Sequence, residues 1–331
     1  LYAENPHLSL CVNADQYVLA GKVVHIPQAG AAPDVVKNRS SLPAAVKKRT
    51  DTDITYPLDE YTSDPVHISN AETIEPSYDK RMSVMADTHM ALNETVGVVT
   101  IRNWAPSGSA RIIRTSGEAV AAHMPGATGM RKKFLKAELK KAQKQMNKDN
   151  IPTSDRYAMF DADMMDQLTD SLTDSEYRDF SRAYDEKNGV VGKLFGFTIL
   201  SRSYVLGYNG SAAIEPGGEG NSPDCAAVLC WHKNSVENAL GQVKFFEDEG
   251  NPQYYGDIYS ALVRMGGRIR REDQKGVVAI VQDLVTEAWK TGEEYKADAF
   301  VTNDGKTYVC VEDHTASAAF ATDAAKWEEI V

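Results

Sequence analysis

Residues 150–168 read NIPTSDRYAMFDADMMDQL, and the fold turns on what the aspartates of this stretch do. Asp161, Asp163 and Asp166 crowd together as DADMMD. They could surround a hard cation, or they could open a helix. A calcium loop needs further oxygen ligands, a central glycine and a late glutamate, whereas Met164 and Met165 fill the middle here. The helix reading accounts for more of the stretch. Asn150 can end one helix, Pro152 keeps Ile151 out of the helical region, and RYAMFD makes a short buried strand. Asp161 or Asp163 then caps the helix begun by MMDQL, where a carboxylate meets unpaired backbone N–H groups and the positive end of the helix dipole. The expectation is helix, turn, strand, helix, with no metal.

Working outward, the preceding RKKFLKAELKKAQKQMNK places Leu135, Leu139, Ala142 and Met146 on one side of a helix. Lys132, Lys133, Lys136, Lys140, Lys141 and Lys144 fill much of the rest. Farther upstream, after Pro76, the residues Tyr78, Met82, Met85, His89, Leu92, Val96 and Val99 recur at spacings of four and three, one apolar stripe of a helix from Ser77 to Arg102. At 1.5 Å per residue such a helix spans roughly 39 Å. His89 lies on the stripe and is read as a packed core histidine rather than a ligand or base. Before it, GKVVHIPQAG and TDITYPLDEYTSDP read as the legs of a long hairpin whose tip is NRSSLPAAVKKRTD, a loop too long for an ordinary compact connection.

Downstream, TDSEYRDFSRAYDEKN is helical and polar, GKLFGFTILSRSY looks like one buried strand, and GYNGSAAIEPGGEGNSPD a turn-rich loop. CAAVLCWHKNSV is a strong strand. FFEDEGNPQYYGDIYSALVRMGGRIRREDQKGVVAIVQDL gives an extended pair that closes with GVVAIV. In the tail, Asp304 and Gly305 sit between two β-type runs as a hairpin turn, within a three-stranded appendage.

The 331 residues carry 36 basic and 47 acidic side chains, a net charge of −11, with 42% hydrophobic residues. Composition is that of a soluble globular protein, and a chain this long can bury roughly 75% of the surface it exposes unfolded. No apolar run approaches the ~18 residues of a membrane span, and LYAENPHLSL lacks the pattern of a secretory signal, so the cytoplasm is expected. The net charge argues against broad attraction to nucleic acid. It is unevenly placed, with basic VVKNRSSLPAAVKKR and RKKFLKAELKKAQKQMNK against acidic 51–104 and the tail, so neighbouring copies could meet with opposite charges. Cys11, Cys225, Cys230 and Cys310 lack zinc-knuckle spacing and read as buried free thiols.

Motifs that would supply chemistry fail on inspection. VVGKLFG has Lys187 where a phosphate loop needs its first glycine and Leu194 where it needs Ser or Thr; DGKT has Phe300 where the leading glycine belongs. The GGEG turn at 217–220 lacks a strand-to-helix context. His7, His25, His67, His89, His123, His232 and His314 are spread singly, and His232 beside Trp231 reads as packing or surface rather than a base. No catalytic, metal or cofactor-binding residue is assigned, and no cofactor is expected.

The order of segments resembles the major capsid proteins of tailed bacteriophages, with their Hong Kong type fold. The likeness is carried by an arm and extended loop, the long SYDKRMSVMADTHMALNETVGVVTIRNWAP helix, and the run FLKAELKKAQKQMNKDNIPTSDRYAMFDADMMDQL. It continues through GVVGKLFGFTILSRSYV, CAAVLCWHKNSVENAL and YGDIYSALVRMGGRIRREDQKGVVAIVQ. The family habit of a helix, an Asn-Val-Pro-like turn and an Arg-Tyr pair is matched by Asn150, Ile151, Pro152, Arg156 and Tyr157. The resemblance implies an α+β chain with an N-terminal arm (1–20), an extended loop hairpin (21–65), a peripheral domain with the spine helix (66–105 and 253–282), and an axial domain (106–252). A small β-rich domain (283–331) follows.

The family role would be structural: self-assembly as hexamers and pentamers into the icosahedral head shell of a virion, put together in the host cytoplasm around double-stranded DNA that is contacted weakly. Portal, scaffold and a cementing or decoration protein would be partners, and no membrane. Arg39, Lys47, Lys48 and Arg49 at the hairpin tip are expected to lie across an acidic surface of an adjacent copy.

The tail, through AWKTGEEY, AFVTNDGKTYVC and KWEEI, resembles small carbohydrate-binding modules of the chitinase-associated kind. It departs from them at VEDHTAS, where an exposed aromatic pair would stand. Trp289, Tyr295, Tyr308 and Trp327 therefore read as the core of a tiny domain rather than a glycan platform. The alternative to the capsid reading is a glycan-active hydrolase using carboxylates of 161–166, or a host-glycan-binding virion adhesin.

Overall fold

A computed structural model describes residues 5–19, 23–28, 37–38, 52–69, 80–185, 189–215 and 221–330. They belong to two compact units, one made of 1–12, 89–237 and 267–331, the other of 13–88 and 238–266. The expected axial segment 106–252 therefore ends with residues that group with 13–88 from Asn238 onward. No described helix is long and apolar enough to cross a membrane.

The first unit is built on an eight-stranded mixed sheet. At its centre is Cys225–His232, all eight residues buried. This strand pairs antiparallel with Arg156–Phe160, Leu206–Asn209 and Val277–Val281. Side chains alternate between faces with a period of two. Cys225, Ala227, Leu229 and Trp231 join Met159, Val277, Ala279 and Val281 on one face. Ala226, Val228 and Cys230 join Ala158, Phe160, Val278 and Ile280 on the other. Both faces are covered, which is why these strands read as unbroken apolar runs. Each large apolar side chain so buried contributes about 1.5–3 kcal/mol relative to exposure.

Helices supply the covers. Helix α1 (Lys80–Asn103) brings Ile101, and Trp104 just beyond it, to the first face, where Trp104 packs 5.8 Å from Trp231 and donates to Glu237 O at 2.9 Å. Helix α2 (Lys136–Lys148) lays Leu139, Ala142 and Met146 on the second face. It stops with a complete Schellman motif: Ile151 N donates to Met146 O and Asn150 N to Asn147 O, both at 3.1 Å, with Asn150 at φ 57°. Buried Arg156 then pins the turn, Nε donating to Pro152 O at 2.7 Å and Nη2 to Ile151 O at 2.6 Å. The strand Arg156–Phe160 leads into helix α3 (Ala162–Asp170), capped by Asp161, whose Oδ1 accepts from Met164 N at 2.6 Å. Helix α4 (Asp174–Ser181) opens on a Thr173–Glu176 capping box and buries Phe180.

In the second unit, Val23–Gln28 and Thr52–Pro57 pair from Val23↔Pro57 to Gln28↔Thr52, the two legs expected of the hairpin. Its small core gathers Ala14, Val24, Tyr56, Leu58 and Ala239. The strands Val236–Asn251 and Gly256–Ile269, which like α1 contribute residues to both units, form the extended pair; Asp59–Thr62 and Val66–Ser69 add to the latter.

Four expectations are corrected. GKLFGFTILSRSY is two antiparallel strands, Val190–Leu194 and Phe197–Ser201, because Phe195 (φ 50°) and Gly196 (φ 81°) fold the run back. The supposed loop 207–224 contains a second hairpin, Leu206–Asn209 with Ala212–Ile214. The tail has four strands rather than three in its main sheet, Glu287–Ala288, Phe300–Asn303, Lys306–Cys310 and Trp327–Ile330, plus a two-stranded ladder. Asp304 and Gly305, at φ 50° and 78°, make its expected turn. His89 is exposed, not a core histidine, and Met82 farther along the same stripe is 64% exposed. Periodicity gives α1 one apolar face; only its later part, with Leu92 and Val96, is buried. Tyr78 lies outside the described residues.

Candidate functional site

The aspartate cluster does not converge. Asp161 is buried at the α3 cap, while Asp163 and Asp166 are exposed. What meets Asp161 instead is His123, from a loop 38 residues away, with Nε2 3.1 Å from Oδ2. Burial opposes the imidazolium, but the hydrogen bond and charge of Asp161, with Asp163 behind it, outweigh that and leave the His123 pKa raised. A spacing of this size carries no local signal, which is why the histidines looked solitary.

His7 behaves in the opposite way. It is fully buried with Nε2 3.1 Å from Gly97 O of α1 and its ring edge-on to Trp104 at 5.8 Å. Burial, reinforced by the nearby Arg202 charge, lowers its pKa to about 3. Together with Asn5, whose Nδ2 donates to Asn93 O at 2.6 Å, it fastens the N-terminal segment along α1. Gly97 is needed there, since a Cβ would sit 2.0 Å from the Asn5 side chain. His232 is buried and its Nδ1 accepts from Asn234 N at 3.2 Å. All four cysteines are buried thiols.

Surfaces suited to contact with other chains lie elsewhere. The long β-pair of the second unit exposes Val243, Phe245, Phe246, Tyr254 and Tyr255, the last at 81%. Beside them Arg81 pairs with Glu247 and Glu249. On α2, Lys133 pairs with Asp170 and Lys136 with Glu176, whereas Lys140, Lys144 and Lys148 recur every fourth residue with no ion pair among the described residues. Arg39, Lys47, Lys48 and Arg49 lie outside the described residues.

In the tail, Tyr295 and Trp327 are buried and Trp289 and Tyr308 half-buried around them, in one cluster with Phe320. Phe320 stacks on Trp327 at 5.5 Å, meets Tyr308 at 4.7 Å and takes Trp289 edge-on at 5.7 Å. Tyr295 meets Trp327 at 5.1 Å and its hydroxyl accepts from Lys290 N at 2.7 Å. The four aromatics singled out from sequence are thus brought together, as neighbours in a core. Phe320, their hub, gave no signal in the sequence beyond its hydrophobicity.

The architecture matches solved phage particles along most of its length. The capsid of Ralstonia phage GP4 is similar at TM-score 0.58 and 11% identity, covering 85% of this chain and 89% of that one. The head of Helicobacter pylori bacteriophage KHP40 is similar at TM-score 0.58 and 11% identity (85% and 91%). A Mycobacterium phage Che8 chain is similar at 0.55 and 15% (85% and 92%). The chain has the tailed-phage capsid fold. Identities this low support the fold, and no curated protein matches the sequence. Residues 288–328, within the small β-rich tail, match the carbohydrate-binding module family 5/12.

Proposed function

We propose that this chain is the major capsid protein of a tailed bacteriophage, many copies of which close into an icosahedral head shell around packaged double-stranded DNA. The observation that carries this is the extent of the fold match, which covers most of this chain and nearly all of each capsid chain compared. The role is structural rather than catalytic. In this reading 1–20 is the arm, 21–65 the extended loop, 66–105 with 253–282 the peripheral domain, 106–252 the axial domain and 283–331 an appended module. Hexamers and pentamers would be the building blocks, with portal, scaffold and cementing proteins as partners and assembly in the host cytoplasm.

Charge supports two further parts of the reading. A chain of net charge −11 should hold packaged DNA weakly, because tight, salt-sensitive binding needs many Lys and Arg on phosphates. Arg39, Lys47, Lys48 and Arg49 are proposed to reach an acidic surface of a neighbouring copy. Residues 283–331, with eleven acidic against four basic side chains, offer one such surface. Charge reversal at the four positions should abolish particles while the purified chain melts as before; particles of normal yield would remove the contact.

A second reading, a virion protein that adheres to host glycans, is favoured by one observation, the family 5/12 match at 288–328. Retention of assembled particles on a chitin column, released by soluble oligosaccharide, would support it.

A further inference from the structure

We propose that the C-terminal module is a clamp in cis, whose Phe300 edge locks Arg131 and the 221–224 turn of the body, and that this task replaces sugar reading. The proposal stands on contacts within the first unit and is independent of the shell reading.

The chain is docked before the module begins. Lys132 N donates to Asp283 O at 2.8 Å, Val285 N to Met130 O at 3.1 Å, and Lys132 Nζ pairs with Asp283 Oδ2 at 2.6 Å. The segment 283–285 thereby runs beside the strand Met130–Lys132. Between these two ladder bonds sits Arg131, fully buried. Its Nη1 donates to Thr128 O (2.9 Å) and Met130 O (3.2 Å), and its Nη2 to Ser222 O (2.7 Å) and Asp224 O (3.0 Å). Among the described residues no carboxylate pairs with it. A buried cation without a counter-ion is costly unless something else supplies negative potential. Here four carbonyl dipoles do so, helped by the Cys225 side chain and by the charge of Asp224 beyond ion-pair distance, and the face of the Phe300 ring, 5.0 Å from the guanidinium carbon, covers the group from the module side.

Two further contacts fit the same joint. Ser222 Oγ donates to Asp298 Oδ1 at 3.0 Å. Gly129, at φ 76°, lies so close to the module that a Cβ there would sit 2.7 Å from Phe300 Cε2 and 3.2 Å from Asp298 O. The 221–224 turn feeds directly into Cys225–His232, the strand on which both faces of the core depend. A clamp at this point therefore holds the start of the central strand.

The aromatic side chains of the module turn toward one another. Trp289, Tyr295, Tyr308, Phe320 and Trp327 pack on one another, and among the described residues of the module the most exposed large apolar one is Val311 at 56%. A sugar platform needs a flat aromatic face open to solvent. Tyr295 and Trp327 are buried, and Trp289, Tyr308 and Phe320 are half-buried in the same cluster.

The test is hydrogen exchange by mass spectrometry on the full chain, with Phe300→Ala, Phe300→Leu and Ser222→Ala beside wild type, and a chitin-bead pull-down in parallel. The clamp predicts exchange raised about tenfold in Phe300→Ala at amides 129–132 and 222–225, less in Phe300→Leu, with the 307–310 ladder unchanged. Ser222→Ala, mild enough to fold if Phe300→Ala does not, should raise exchange at 222–225 about threefold. Unchanged exchange there, or changes confined to 286–330, would overturn the clamp. Chitin retention competed by soluble oligosaccharide would overturn the claim that sugar reading has been replaced.

Discussion

Two histidines of the first unit titrate with opposite consequences. The His7 pKa falls from 6.5 to about 3 on folding, so between those values the unfolded chain holds a proton that the folded chain does not. Stability contributed by neutral His7 is full above pH 6.5 and is lost as the solution acidifies toward 3. His7→Gln keeps a donor for Gly97 O and cannot titrate. Denaturant titrations from pH 7 to 4 should give a shallower loss of stability for the variant, and identical slopes would show that His7 is not the group responsible. His123 has a raised pKa because of Asp161, so its contribution is full below 6.5 and is lost as pH rises through the folded value. His123→Gln should therefore cost more stability at pH 5 than at pH 8; an equal cost at both would mean the Asp161 contact does not depend on charge. Neither partner was legible in sequence, since Gly97 lies 90 positions from His7 and Asp161 lies 38 from His123.

At the scale of elements, the end of α2 is the most local feature and was the most legible. Asn150 can enter the left-handed region, Pro152 bars continuation, and Arg156 is near enough to hold the turn. Asn150→Gly should leave stability within about 0.5 kcal/mol, whereas Asn150→Val, which resists positive φ, should cost about 1–2 kcal/mol by chemical denaturation. Equal values for the two would mean the left-handed geometry is not what the site demands. The fold-back at Phe195 was not legible, because phenylalanine at positive φ has no local signature and FTIL reads as a continuing strand. For α1 the stripe could be read but its cover could not. Spacing shows which residues share a face but not how deeply each is covered: Leu92 is 8% exposed and Met82 64%. The exposed apolar residues of the long β-pair allow a sharper expectation. Val243→Ser with Tyr255→Ser should leave the isolated chain's stability within about 0.5 kcal/mol yet lower the yield of particles; unchanged yield would remove this pair from the proposed contacts.

For the whole molecule, segment order made the capsid architecture readable where identity to any one capsid protein is too low to do so. The two-faced sheet fixes apolar runs in a set sequence, and the helix, turn and Arg-Tyr phrase marks where the run enters it. The relation of the tail to the body was hidden, because Arg131 and Phe300 are 169 positions apart and neither looks unusual alone. The central claim is that one copy is an incomplete object and the closed shell is the working state. Electron cryomicroscopy of the purified chain, under conditions that favour assembly, tests it most directly. The account predicts closed, icosahedrally symmetric shells tiled by this fold; a population that stays monomeric at high concentration would contradict it.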